Sequence, residues 1–233
     1  PPVDPPVAEW TCGDPVSYHG YDYETVLIGE QCWFAENLRT ELYQNGDSIP
    51  RAESAIDWID FSEGSIGGFA TYGSFNDVGC ADASPQINSC DPLESIAYYG
   101  LYYNFHTISD ERLLCPSGWS IGDANEWADL FSFTQTSTGS GYWSRHLRAE
   151  GSWYVSFEWN EGTNSTGFTA HPGGAISLEG MNNGAGANSW WWTSSPSANG
   201  EEGKSSYIFQ NSMGTDIWDY SMGHGFPVRC IKD

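Results

Sequence analysis

Apolar and polar positions fall into distinct blocks along the chain, and each block predicts an element. Residues 123–134 carry the clearest helical period: Trp127, Leu130 and Phe131 lie at i, i+3 and i+4 on one face, with Asp123 placed as N-cap and Glu126 completing a capping box. A second short helix is expected around 141–150. In 21–38 the pattern has strand character instead. Tyr23 with 25–28, a Gly29-Glu30 turn and then 31–34 predict a hairpin that contains Cys32. Residues 151–160, 189–195, 206–211, 215–220 and 225–231 predict further strands separated by Gly, Asn and Ser turns. Residues 44–95 sustain no period and are rich in Gly, Ser, Asp and Asn, which predicts a loop-rich insertion. The predicted class is α+β, an antiparallel sheet in the C-terminal half preceded by two helices.

Trp190, Trp191 and Trp192 stand in a row within one predicted strand. Side chains alternate across a strand, so Trp190 and Trp192 share a face and Trp191 takes the other; the three cannot form one platform. At least one face is expected in the core. If Trp191 alone is inward, Trp190 and Trp192 are the candidate surface for a glycan or a neighbouring subunit. At the N-terminus, Pro1, Pro2, Pro5 and Pro6, with Val3 and Val7 among them, predict an extended polyproline-like arm over 1–11 that precedes a single domain over 12–233. The arm is a candidate for docking on its own domain or on a neighbouring molecule. Its prolines lack the N–H groups that a fully paired donated strand requires.

Composition sharpens this picture. Among 233 residues are 12 Trp, 13 Tyr, 11 Phe and 27 Gly but only 3 Met, a balance that suits a loop-rich fold pinned by large rings. A chain of this length can bury roughly 70% of its unfolded surface. Thirty-one acids against eight Lys plus Arg give a formal charge of −23, which repels nucleic acid and anionic membranes. Six cysteines, at 12, 32, 80, 90, 115 and 230, include no C-x-x-C, so disulfides and an oxidising compartment are favoured. Several pairings are open to six cysteines. Nearest neighbours suggest Cys12 with Cys32 and Cys80 with Cys90, leaving Cys115 to reach Cys230. No apolar run approaches the roughly 18 residues that span a bilayer. A chain opening at Pro1 is expected to be a processed exported product or a piece of a longer secreted protein.

The chain carries few signs of catalytic or metal chemistry. His19, His106, His146, His171 and His224 show no metal-binding spacing, and the EF-hand pattern does not occur. No G-x-S-x-G elbow, P-loop or dinucleotide fingerprint is present. The neighbouring acids Glu201 and Glu202 say nothing about the separation a glycosidase needs. Asn164-Ser165-Thr166 fits an N-glycosylation sequon, and Asp47-Ser48-Ile49 resembles a bacterial O-glycosylation triad, making Asn164 and Ser48 candidate modification sites.

Several phrases carry a family resemblance: 26-VLIGEQCWFAENLR-39, 99-YGLYYNF-105, 114-LCPSGWSIGDANEW-127, 167-GFTAHPGG-174, 190-WWWTSS-195 and 225-GFPVRCIKD-233. In this order they resemble the Fibrobacter succinogenes major paralogous domain. The resemblance implies a C-type-lectin-like fold, distantly related to formylglycine-generating enzymes, in secreted or surface proteins of Fibrobacterota and Bacteroidota. It does not carry over the calcium-dependent sugar site, because no E-P-N or Q-P-D loop stands here and Trp218-Asp219 lacks the Asn of a W-N-D strand. A formylglycine-generating activity is not implied either, since Cys230 has no second cysteine near it in sequence.

The reading that follows is a non-enzymatic, cofactor-free module, secreted or held at a bacterial cell surface. It is expected to be a subunit of an extracellular filament or adhesin, associating with itself or with other surface proteins through the arm. The alternative is calcium-independent binding of polysaccharide through exposed aromatic rings.

Overall fold

Gly29 closes the hairpin predicted over 25–34 in the left-handed region (φ 64°), where Phe133 packs so closely that a Cβ would meet its ring at 3.0 Å. The computed structural model describes residues 10–75, 80, 86–154, 161–210 and 215–233. The expectations for the arm at Pro1, Pro2, Val3, Pro5, Pro6 and Val7, and for a strand over 155–160, lie outside the described residues.

The chain begins with β1 (Val16–Tyr18), β2 (Tyr21–Tyr23), β3 (Thr25–Ile28) and β4 (Gln31–Phe34). Next come α1 (Ala55–Glu63), β5 (Phe69–Ala70), α2 (Pro92–Tyr99), β6 (Tyr102–Tyr103) and α3 (Phe105–Ile108). The second half holds β7 (Trp119–Ile121), α4 (Ala124–Thr138), β8 (Ala175–Ile176), β9 (Asn182–Asn183), β10 (Asn188–Pro196), β11 (Glu202–Phe209), β12 (Thr215–Ser221) and β13 (Cys230–Lys232). The class is α+β with antiparallel sheets, as expected. β3, β4, β13 and β7 form one sheet in that order, so the last strand is inserted between early and middle ones. β10, β11 and β12 form a second sheet, with β12 at its edge.

All six cysteines pair as their spacing suggested: Cys12–Cys32, Cys80–Cys90 and Cys115–Cys230. The last bridge ties β13 to the segment leading into β7 across 115 residues.

Helix expectations need correction. Residues 44–95 are not only loop, for α1 and α2 lie within them or run out of them. Ser54 caps α1 by accepting from Asp57 N, and Asp91 caps α2 by accepting from Leu93 N and Glu94 N. α4 starts on the predicted capping box and ends on Gly139 in the left-handed region (φ 59°). The helix expected around 141–150 is one 3-10 turn at Trp143–His146. Residues 151–154 form no strand, and in 225–231 only Cys230 and Ile231 are in one. β11 starts at Glu202, earlier than its polar composition indicated. Small residues are needed there, because a Cβ on Gly203 would lie 2.2 Å from the Phe105 ring.

The second sheet divides the interior. On one face Trp190, Trp192 and Tyr207 join Phe34, Tyr103, Trp119 and Phe226 in one cluster. On the other, Trp191 and Ile208 pack with Trp33, Trp127, Leu130 and Phe168 beneath α4. β10 is therefore buried on both faces. A third cluster, built on Trp58, Tyr72, Tyr99, Tyr102 and Ile176, anchors α1 and α2.

Two arginines reach into these clusters and donate to backbone carbonyls. Arg229, fully buried, donates Nε to Asn37 Oδ1 (2.8 Å), Nη1 to the carbonyls of Phe34 and Phe168, and Nη2 to the carbonyl of Thr169 (3.0 Å). Arg148 donates to the carbonyls of Gln210 and Phe209 and to Ser144 Oγ. Burial pulls both guanidinium groups below their usual range, Arg229 to about 9 and Arg148 to about 10. Both remain cations at neutral pH and knit loops to strands.

Candidate functional site

Strand alternation along β12 sends Thr215, Ile217, Asp219 and Ser221 to one face and Asp216, Trp218 and Tyr220 to the other. Ile217 packs against the Trp191 cluster under α4. Trp218 goes the opposite way, and because β12 is the sheet edge its ring extends past the core and stays 55% exposed.

That exposed indole is held in place. It meets Tyr207 edge to face, with centroids 5.6 Å apart at 90°. Tyr207 contacts Phe209 at 4.5 Å, Phe209 meets Trp190 at 5.8 Å, and Trp190 lies parallel to Phe226 at 6.1 Å. A ladder of rings thus runs from solvent to core. The indole N–H of Trp218 donates to Asp216 Oδ2 at 2.9 Å, while Asp216 Oδ1 accepts the backbone N–H of Ile217 at 2.8 Å. One carboxylate orients the ring and occupies an N–H at the sheet edge. One register step further, Lys204 and Asp219 pair across β11 and β12 at 2.8 Å on the opposite face.

Along the same edge, Thr215, Asp216 and Ile217 face Ser132 and Gln135 of α4 across a groove of about 300 Å³. A larger cleft of about 620 Å³ lies between the β3–β4 turn and α4 beside Phe133, and one of about 380 Å³ lies beside Trp119 and the start of α4.

The Trp190/Trp192 surface is a correction. Trp190 is 8% exposed and Trp192 is fully buried, with their indole N–H groups donated to Tyr220 Oη and to the carbonyl of Tyr103. Both faces of β10 are covered, one by the Phe226 cluster and the other by α4, which leaves no contact surface there. Among the described residues, Trp218 and Trp10 are the exposed tryptophans. Trp10, at the root of the N-terminal segment, packs edge-on against Trp119 at 5.6 Å.

Ser48 is exposed on the turn that links Leu42 and Ile49. Asn164 is half-buried with positive φ (43°), donating Nδ2 to Thr169 Oγ1 (3.0 Å) and accepting the Thr169 N–H (2.7 Å). Its amide nitrogen therefore serves the fold. Thr166, the sequon hydroxyl, donates to the carbonyl of His146. The histidines lie apart from one another; His171 is held neutral, its pKa lowered to about 3 by burial and by the nearby Arg229 charge. Among the described residues no group of three or more His, Cys, Asp or Glu side chains is arranged to hold a metal.

Sequence inspection missed Trp218. Its signal is the alternation T-D-I-W-D-Y, which sets the ring of Trp218 beside the carboxylate of Asp216 on one face of a strand.

These features define a disulfide-stapled α+β domain with buried arginines and an aromatic outer edge. The model for the Fibrobacter succinogenes major domain matches residues 26–232, and the chain belongs to that family. No curated protein and no solved structure matches the chain.

Proposed function

We propose that the protein is a non-enzymatic module, exported to the cell surface or beyond, that binds neutral glycan without calcium on the edge of β12. The domain is read as C-type-lectin-like, with its early and last strands paired in one sheet. Three disulfides fit an oxidising compartment, and among the described residues no helix is long and apolar enough to cross a membrane.

The observation that carries the glycan reading is the double role of Asp216. By accepting from Trp218 Nε1 it fixes an exposed aromatic plate, the surface on which the C–H face of a sugar ring stacks. By accepting the Ile217 N–H it removes a donor that an added strand would need. That favours ligands that contact side chains over subunits that join by strand addition. Like charge opposes pairing with a second copy, since Asp216 and Asp219 lie on the edge strand of a chain with formal charge −23. Arm-mediated filament assembly rests on residues outside those described and gains no support from β12.

Titrating the intact protein with neutral polysaccharides, with tryptophan fluorescence as readout, tests the reading. Saturable quenching lost in Trp218→Ala supports it, and silence of the wild-type protein across the panel overturns it.

A further inference from the structure

Register fixes what stands around Trp218. Across β11 and β12, Ser205 lies opposite Trp218 and Tyr207 lies opposite Asp216, so all four side chains fall on one face of the sheet. Ser205 is small and fully buried, and the indole leans diagonally onto the Tyr207 ring, 5.6 Å away at 90°. The Tyr207 ring is packed against Phe209 as well. Its hydroxyl, by contrast, reaches solvent and makes no hydrogen bond among the described residues. Other tyrosines of the interior use theirs: Tyr102 and Tyr103 donate to the carbonyls of Gly173 and Thr40, and Tyr220 accepts from Trp190. The open phenol is the one beside the exposed indole. Burial and the neighbouring Asp216 charge push its pKa above the ordinary range, so it stays a donor at neutral pH.

Asp216 supplies the complementary group. It is exposed, and each of its oxygens accepts one N–H, that of Ile217 at Oδ1 and that of Trp218 at Oδ2. A carboxylate oxygen can accept twice, so both keep an open lone pair. Side chains directly opposite in a sheet have Cβ atoms about 5 Å apart, which sets a phenol donor and a carboxylate acceptor side by side next to the indole. Two adjacent sugar hydroxyls answer both groups, one accepting from Tyr207 and the next donating to Asp216. Acidic sugars are opposed by Asp216 itself and by the overall charge.

We propose that Tyr207 and Asp216, paired across β11 and β12, form the polar half of the Trp218 site and recognise a neutral sugar with two adjacent free hydroxyls. The sugar stacks on Trp218, accepts a hydrogen bond from the Tyr207 hydroxyl and donates one to Asp216. This rests on the glycan reading of Trp218 and adds the residues that orient the sugar and the hydroxyl pattern they require.

Calorimetric titration with neutral polysaccharides (a β-glucan, a mannan, a xylan and a galactan) tests it on the intact protein, Tyr207→Phe and Trp218→Ala. Any polysaccharide that binds is also offered to the wild type in O-methylated form, which cannot donate to Asp216. Tyr207→Phe keeps the ring and its contacts and removes only the hydroxyl, so its urea midpoint is expected to match the wild type. Its affinity is expected to fall about three- to tenfold, the size of one neutral hydrogen bond. The O-methylated polysaccharide is expected to bind the wild type more weakly by at least as much, and Trp218→Ala to lose binding. Wild-type affinity in Tyr207→Phe, a lowered urea midpoint in that variant, or undiminished binding of the O-methylated form overturns the Tyr207–Asp216 pair while leaving the Trp218 reading in place. Failure of the wild-type protein to bind any member of the panel, or full binding by Trp218→Ala, overturns both.

Discussion

Arg229 donates Nε to Asn37 Oδ1 at 2.8 Å, and the same oxygen accepts the indole N–H of Trp191 at 2.8 Å. Asn37 in turn donates Nδ2 to the carbonyl of Tyr99 at 2.8 Å. One amide thereby joins the β4 exit, the end of α2, the middle of β10 and the approach to β13. Asn37→Ala takes their shared acceptor from two buried donors, Trp191 Nε1 and Arg229 Nε, and is expected to destabilise the fold by roughly 2–4 kcal/mol. Arg229→Met removes the fork that holds the carbonyls of Phe168 and Thr169 and is expected to cost about as much. The double variant is expected to fall well short of the sum, since the sites share a partner. Urea unfolding of the four proteins measures the coupling, and strict additivity would contradict a shared network.

His171 links this core to pH. Its pKa in the folded state is lowered to about 3, mainly by burial and then by Arg229, against an ordinary value of 6.5. Between these values the unfolded chain binds a proton that the folded chain does not. Stability is therefore expected to fall as pH drops from about 6.5 towards 3, by up to ~1.4 kcal/mol per pH unit from this group. Comparing urea midpoints of the wild type and His171→Gln across that range isolates the histidine from the carboxylates. Parallel curves would remove it as the cause.

The disulfides are expected to contribute unequally. In the chain-entropy model, Cys115–Cys230, with a sequence separation of 115, contributes about 5 kcal/mol, and Cys80–Cys90, with a separation of 10, about 3 kcal/mol. Thermal unfolding of the paired Cys→Ser variants is expected to show the larger loss for the longer loop.

Gly203 is expected to reject even a methyl group. A Cβ there would sit 2.2 Å from Cδ2 of Phe105, inside the core of the second sheet. Gly203→Ala is expected to lower stability by about 1–3 kcal/mol through overpacking. A Phe105→Leu background, which makes room, is expected to relieve part of that loss.

Much of the frame was legible because its signals are local. The Asp123/Glu126 capping box announced α4, Gly29-Glu30 announced the β3–β4 hairpin, and cysteine spacing suggested all three bridges. α2 carried an Asp91-Pro92 start signal, but its eight residues are too few for a period to emerge from a loop-like setting. β10 was harder for another reason. Alternation tells which tryptophans share a face, but coverage of both faces depends on α4 and Phe226, which approach from elsewhere in the chain. Trp218 was missed for the converse reason, since only the order of strands reveals that β12 is an edge.

The most direct test of the central claim is fluorescence titration of Trp218→Ala beside the wild type with a panel of neutral polysaccharides. The substituted ring is exposed, so the variant is expected to lose less than about 1 kcal/mol of stability, confirmed by its unfolding midpoint. The account predicts saturable quenching in the wild type and none in the folded variant. Equal binding by the two proteins, or no binding by the wild type, would contradict it.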